Sequence, residues 1–152
     1  MVHAPAAADD IAAINRLRYE YAFGIDTRDY ALFRSVFTDE VTMDFSSYSG
    51  RPAVTLSADD WVASAATLVD SLDATQHSMM NPLVDLGADG QRATQRMAMQ
   101  ATHFLNDVEF TIGGWYLDEA VRTDEGWKLA AVTLNVTWRR GDASIMQRTE
   151  QL

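Results

Sequence analysis

The 152-residue chain contains no cysteine. That absence removes disulfides, thiolate nucleophiles, cysteine-ligated zinc and iron–sulfur clusters, and it fits a reducing compartment. Any chemistry must then use oxygen or imidazole groups. Basic residues are also scarce: 12 Lys and Arg stand against 22 Asp and Glu, for a formal net charge of −10. No stretch gathers enough of them to neutralise several phosphates, so nucleic acid is not an expected partner. Long apolar runs are missing too. No segment reaches the roughly 18 residues that would suggest a transmembrane helix. Residues 1–10 lack the basic start and apolar stretch of a secretory signal, so a cytoplasmic location is expected. Prolines number only three, and 47% of residues are hydrophobic against 22% charged, a composition suited to a folded globular chain. One domain is expected over residues 9–140, with a flexible leader at 1–8 and a tail or pocket lid at 141–152. His3 falls in the Ala-rich leader and is expected to have no function.

What is present follows two periodicities. Asp9 and Asp10 read as N-cap candidates, and Ile11, Ile14, Leu17, Tyr21 and Ile25 then recur at spacings of three and four, predicting a helix over about 10–24. Gly24 weakens its end. Asp29 can cap a second short helix carrying Tyr30, Leu32, Phe33, Val36 and Phe37. Val41–Phe45 alternates as a strand and is followed by a Ser/Gly/Pro-rich loop over 46–52. Ser57 opens a third helix with an apolar stripe of Trp61, Val62, Ala65, Leu68, Val69 and Leu72. Long β-prone stretches then cover about 74–86, 91–105, 108–123 and 127–140, joined by short turn signals that favour antiparallel neighbours. Helices followed by strands make the α+β pattern: a cone-shaped, curved antiparallel sheet covered by three N-terminal helices around one pocket.

The candidate chemical groups are the interior histidines and the side chains able to meet them. His77 shares a strand face with Met79, and His103 shares one with Met97, Met99 and Ala101. Taken singly, each also reads as a core histidine satisfied by a backbone carbonyl. Two imidazoles on one inner face call for polar partners, because burying them unpaired costs free energy. Asp26 follows Ile25 of the helical stripe, so its carboxylate either ends the helix or turns toward the interior. If it meets His77, it fixes the tautomer and raises the basicity of the imidazole, making a general base. Tyr21 lies on the inward stripe five residues earlier, where a plain core tyrosine is the competing reading. Met79, Met80, Met97 and Met99 would form a soft apolar wall of a pocket or of an ordinary core. Trp61, Trp115, Trp127 and Trp138 read as core or subunit contacts, and Glu20, Glu109, Asp118 and Glu119 as solvated charges. Nothing in the sequence calls for a metal or cofactor.

Three segments carry a family resemblance over about residues 8–140. They are Tyr21 to Tyr30 with Asp26 just before the second helix, Thr75-Gln76-His77, and Gly113 to Glu119 continuing to Asp124-Glu125-Gly126-Trp127-Lys128-Leu129. The chain resembles the SnoaL-like branch of the nuclear-transport-factor-2-like superfamily. The resemblance extends to scytalone dehydratase, the bile-acid dehydratases and the hexachlorocyclohexane dehydrochlorinases, in which an Asp–His pair at matching positions removes a proton beside the breaking bond. It implies that role for Asp26 and His77. His103 matches a second histidine of scytalone dehydratase, and Tyr21 matches a tyrosine of the bile-acid dehydratases that is lysine in the dehydrochlorinases. The sequence also departs from these patterns. Ile25 stands where scytalone dehydratase has tyrosine, Phe45 aligns with another tyrosine of its pocket, and Val132 stands where the dehydrochlorinases have arginine. Tyr48 is a candidate for a replacement hydroxyl.

The resemblance implies a cofactor-independent lyase or isomerase, foremost a dehydratase of an apolar cyclic carbonyl compound of polyketide, steroid or terpenoid type. Catalysis would rest with Asp26, His77, Tyr21 and His103, and substrate contact with Phe45, Tyr48, Met79, Met97 and Met99. Because one scaffold of this kind hosts several functions, two alternatives stay open. One is a non-catalytic ligand-binding or assembly domain related to small subunits of ring-hydroxylating dioxygenases; the other is a dehydrohalogenase. A homo-oligomer is implied, with a trimer favoured over a dimer.

Overall fold

The computed structural model describes residues 5–146, so His3 and residues 147–152 of the expected tail lie outside the described residues. In chain order the elements are helix α1 (Pro5–Asp26), helix α2 (Tyr30–Ser35), strand β1 (Phe37–Asp44), the one-turn helix α3 (Ser46–Ser49), strand β2 (Val54–Ser57) and helix α4 (Ala58–Asp70). Four long strands follow: β3 (Ala74–Leu86), β4 (Arg92–Leu105), β5 (Val108–Thr123) and β6 (Gly126–Gly141). A short 3-10 turn, Ala143–Met146, ends the described chain.

The long strands match the β-prone stretches closely, because alternation and Gly/Asp/Asn turns speak clearly where strands are neighbours in sequence. The sheet order is β2-β1-β6-β5-β4-β3. The expectation of an all-antiparallel sheet needs correction, since β1 pairs with β6 in parallel. Their register, Met43 opposite Val132, joins residues far apart in sequence, where no tight turn dictates direction. The sheet is also unclosed, with β2 and β3 as its edges. Register shifts between Met80 and Leu83 and at Gly113/Gly114 insert bulges, which bend long strands and strengthen their twist.

Helix α1 begins at Pro5, earlier than the expected start near residue 10, so part of the expected flexible leader is helical. Proline is tolerated in a first turn, whose N–H groups have no helical partners. Asp9 and Asp10 are therefore not N-caps. Asp10 instead accepts hydrogen bonds from Trp127 Nε1 at 3.0 Å and Arg122 at 2.6 Å, tying the helix to β5 and β6. The helix also runs through Gly24 to Asp26. A Cβ on Gly24 would stand 2.6 Å from the Phe33 backbone nitrogen, so glycine is what lets α1 and α2 touch.

Asp29 and Ser57 do cap their helices, accepting from the backbone N–H groups of Leu32 and Asp60. Phe37, read as part of the second helix, opens β1 instead. The predicted 46–52 loop contains helix α3, giving four helices before the meander in place of three. Ile14, Leu17, Tyr21 and Ile25 of α1 pack with Phe33, Met99, Tyr116 and Leu134 in one buried core. Transfer of such side chains from water contributes roughly 1.5–3 kcal/mol each. Of the tryptophans, Trp127 is buried, Trp61 packs against the core, and Trp115 and Trp138 are exposed.

Candidate active site

Helix α1 delivers Asp26 in its last turn, and β3 receives it. Arg28, at φ 58°, takes the left-handed position that reverses the chain after α1. Its guanidinium donates to the Leu72 carbonyl at 2.8 Å and the Val69 carbonyl at 3.3 Å at the end of α4, fixing this turn beside the start of β3. Because β3 is an edge strand, part of its backbone has no neighbouring strand to bond. Asp26 serves that edge: its Oδ2 accepts the His77 backbone N–H at 2.7 Å. Its Oδ1 accepts the Thr75 hydroxyl at 2.9 Å and lies 2.7 Å from His77 Nδ1.

A carboxylate can only accept here, so Nδ1 carries the imidazole proton and Nε2 keeps the lone pair. Burial alone would push the Asp26 carboxyl up, but hydrogen bonds from the His77 ring and backbone and from Thr75, with the His77 charge, hold it below the ordinary value. Asp26 stays ionised, and two of its three contacts, to the backbone N–H and to Nδ1, hold His77.

The ring of His103 meets that of His77 edge-on, with centroids 5.9 Å apart. The two residues sit diagonally across the β3–β4 pair, where Thr75 opposes His103 and His77 opposes Ala101. His103 Nδ1 lies 3.2 Å from the Phe110 carbonyl. Only an N–H can bond to a carbonyl, so Nε2 of His103 is an acceptor in the neutral ring. Burial, with His77 adding repulsion, pushes His103 down to about 4. The backbone-satisfied reading of this histidine and its place beside His77 are thus both true.

A cavity of about 460 Å³ opens onto these groups. Among the expected site residues Tyr21, Phe45, Tyr48, His77, Met99 and His103 line it. Met79 and Met97 do not, which corrects the expected methionine wall. Met97 is buried opposite Tyr116, and Met79 packs at the rim of the core opposite Met99. Met146, from the turn after β6, lines the cavity instead. Tyr48 reaches the pocket because helix α3 is fastened to β6. Ser47 donates to the Leu134 carbonyl at 2.6 Å, and Arg139 donates to the Tyr48 carbonyl at 2.9 Å. Phe45 and Trp61 meet edge-on at 5.2 Å and form an aromatic wall.

Three further residues belong to this region, and the sequence reading placed none of them at the site. Arg18 is fully buried and bonds through Nε and Nη2 to the equally buried carboxylate of Asp118, with Nε to Oδ2 at 2.6 Å. Asp118 is therefore no solvated charge. The Arg18 guanidinium lies 3.6 Å from the ring centre of Tyr116, a cavity-lining residue, and 4.5 Å from that of Tyr21. Both signals were present in the sequence. Arg18 stands four residues after Ile14 and three before Tyr21, on the inward stripe, and Tyr116 and Asp118 share the two-residue period of Ile112 and Ala120. Among the described residues, no group of three or more His, Asp or Glu side chains is placed to hold a metal ion, and no helix is long and apolar enough to cross a membrane.

A family model for the SnoaL-like domain matches residues 6–133. A search of curated proteins gives no significant match. Among solved structures, Kfla4162 from Kribbella flavida is 31% identical, with 93% of this chain and 99% of that one covered and a TM-score of 0.87. A candidate aromatic ring hydroxylase from Novosphingobium aromaticivorans is 23% identical, covering 95% and 99% of the two chains, at a TM-score of 0.81. A candidate scytalone dehydratase from the same organism is 19% identical over 90% and 89%, at 0.78. The last two likenesses, at that identity, speak to the fold.

Proposed function

The chain belongs to the SnoaL-like family, and on that premise we propose that it is a cofactor-independent dehydratase of an apolar cyclic substrate bearing a carbonyl and a β-hydroxyl. The observation that carries this reading is the 2.7 Å contact between Asp26 and His77 Nδ1 beside a largely apolar cavity. His77 Nε2 removes the proton α to the carbonyl. The C–H pair becomes the C=C of an enolate as the carbonyl π pair moves onto oxygen. Collapse of the enolate then expels the β-hydroxyl, which leaves as water with the proton returned from His77. Asp26 orients His77 and balances its transient charge. Tyr21 donates to the carbonyl oxygen. His103 plays a part that its tautomer sets: the neutral Nε2 accepts the hydrogen of the substrate hydroxyl and aims the leaving oxygen at His77.

Phe45, Tyr48, Trp61 and Met99 supply the apolar walls that exclude water and strengthen these contacts. The close Asp26–His77 contact speaks against a purely structural subunit, for which a distant, backbone-satisfied His77 would be expected. Val132 is buried and stands outside the cavity lining, so the arginine of the dehydrochlorinases has no counterpart at that position. Screening apolar β-hydroxy ketones for enone formation, alongside halide release from chlorinated cyclohexanes, tests the assignment. Enone without halide is expected, and halide release alone would overturn it.

Assembly into a homo-oligomer, a trimer first, belongs to the same proposal. Its support is the outer sheet face, where Met80, Leu83, Trp115, Leu117 and Trp138 stand 37–59% exposed. Contiguous exposed apolar side chains of this kind commonly mark an interface.

A further inference from the structure

The Arg18–Asp118 pair is fully buried, and the proton transfer proposed for Asp26 and His77 does not use it. Ion pairs sealed from water gain little net stability, and apolar replacements of equal volume often serve as well. Here the pair is also incompletely bonded, since Arg18 Nη1 has no hydrogen-bond partner among the described residues. Its guanidinium lies over the rings of both Tyr116 and Tyr21, which line the cavity and meet edge-on at 6.0 Å. Asp118 accepts from the Nε and Nη2 edge of this cation, and at both tyrosines burial raises the pKa while the Arg18 charge acts against that rise.

We propose that Arg18 is a positioning residue that polarises a two-tyrosine anion site, Tyr21 with Tyr116, so that the pocket selects apolar ring compounds whose oxygen carries or develops negative charge, as in an enolate or phenolate. The inference rests on the reading in which Tyr21 faces the substrate carbonyl, and it adds Tyr116, whose hydroxyl interacts with that of Tyr21, as the second hydroxyl of the site. Burial keeps both tyrosines protonated, pushing each above the ordinary tyrosine value, so they remain donors. A fixed cation against their π faces withdraws electron density from the hydroxyls and strengthens the hydrogen bonds they give. Such preorganised donors act most strongly where water is excluded and charge appears only in the transition state.

The test is binding of substituted phenols, from phenol to 4-nitrophenol, with the ionisation of the bound phenol followed by ultraviolet absorbance. It is run in a His77→Gln background so that no imidazolium contributes. The bound phenols are expected to ionise at lower pH than in water. Tyr116→Phe, and the paired replacement Arg18→Met with Asp118→Leu, should each weaken phenolate binding by about tenfold, equal to about one pKa unit of the bound phenol. Affinity for the un-ionised phenol should be unchanged, which a merely structural role would not give. Should the paired variant fail to fold, Tyr116→Phe and the charge-retaining Arg18→Lys decide: loss in the first and retention in the second are expected. Equal ionisation of the bound phenol in all proteins, or in water and protein alike, overturns the inference. The assay needs no turnover, so an inactive His77 would leave it intact, and an active dehydratase without phenolate preference would sink this inference alone.

Discussion

At the scale of single residues, His103 links burial to acid sensitivity. The unfolded chain protonates this imidazole near pH ~6.5, whereas the folded protein holds it neutral down to about 4. Between those values the unfolded state binds more protons, so stability falls as pH falls through that window. The difference amounts to about 3 kcal/mol at its lower end. Urea unfolding at several pH values should show wild type losing that much more than His103→Gln, with contributions from all other groups common to both. Parallel profiles would contradict the buried neutral state. Asp26 and His77 were legible in the sequence because each stood where a helical stripe or a strand face turned inward. Asp118 was not, because a carboxylate was read by its type and not by its parity in β5; the partner that makes its burial tolerable, Arg18, lies 100 residues away. Removing that partner carboxylate with Asp118→Ala should cost about 3–5 kcal/mol, since an uncompensated cation remains in the core. Calorimetry showing wild-type stability would refute the pairing.

Among elements, the junction of α1 with α2 sets the site's geometry. Gly24 permits the contact with Phe33, and the following turn presents Asp26 to the edge of β3. Gly24→Ala should gain helix propensity of about 1 kcal/mol yet lose more, about 2–3 kcal/mol, through overpacking against backbone that has no flexible end to yield. Net destabilisation together with reduced turnover is the expected outcome, and a more stable, fully active variant would contradict it. The glycine was legible only as a weak helix residue. Its packing reason lies between two helices, and periodicity along one helix is blind to it. The four-strand meander was read almost to the residue because its turns are local. The parallel β1–β6 pairing was missed because it closes a long stretch of chain that no turn motif announces, and strand β2 because its four residues return to β1 through helix α3 and a loop instead of a tight turn.

For the whole molecule, the unclosed sheet leaves an outer apolar face centred on Trp115 and Leu117. Light scattering should give three times the 16.9 kDa chain mass. Trp115→Glu should shift the population toward the monomer, and a wild-type monomer would remove the assembly proposal. On the inner face, helices α1, α3 and α4, the edge strand β3 and the β4–β5 pair converge on a cavity lined by two imidazoles and three tyrosines, with the Asp26 carboxylate behind His77. The most direct measurement of the central claim is the rate of enone formation from apolar cyclic β-hydroxy ketones by wild type and by His77→Gln, at equal folded concentration. The account predicts turnover by wild type that falls about 10²–10⁴-fold in the variant; equal rates in the two proteins, or no turnover of any such ketone, would contradict it.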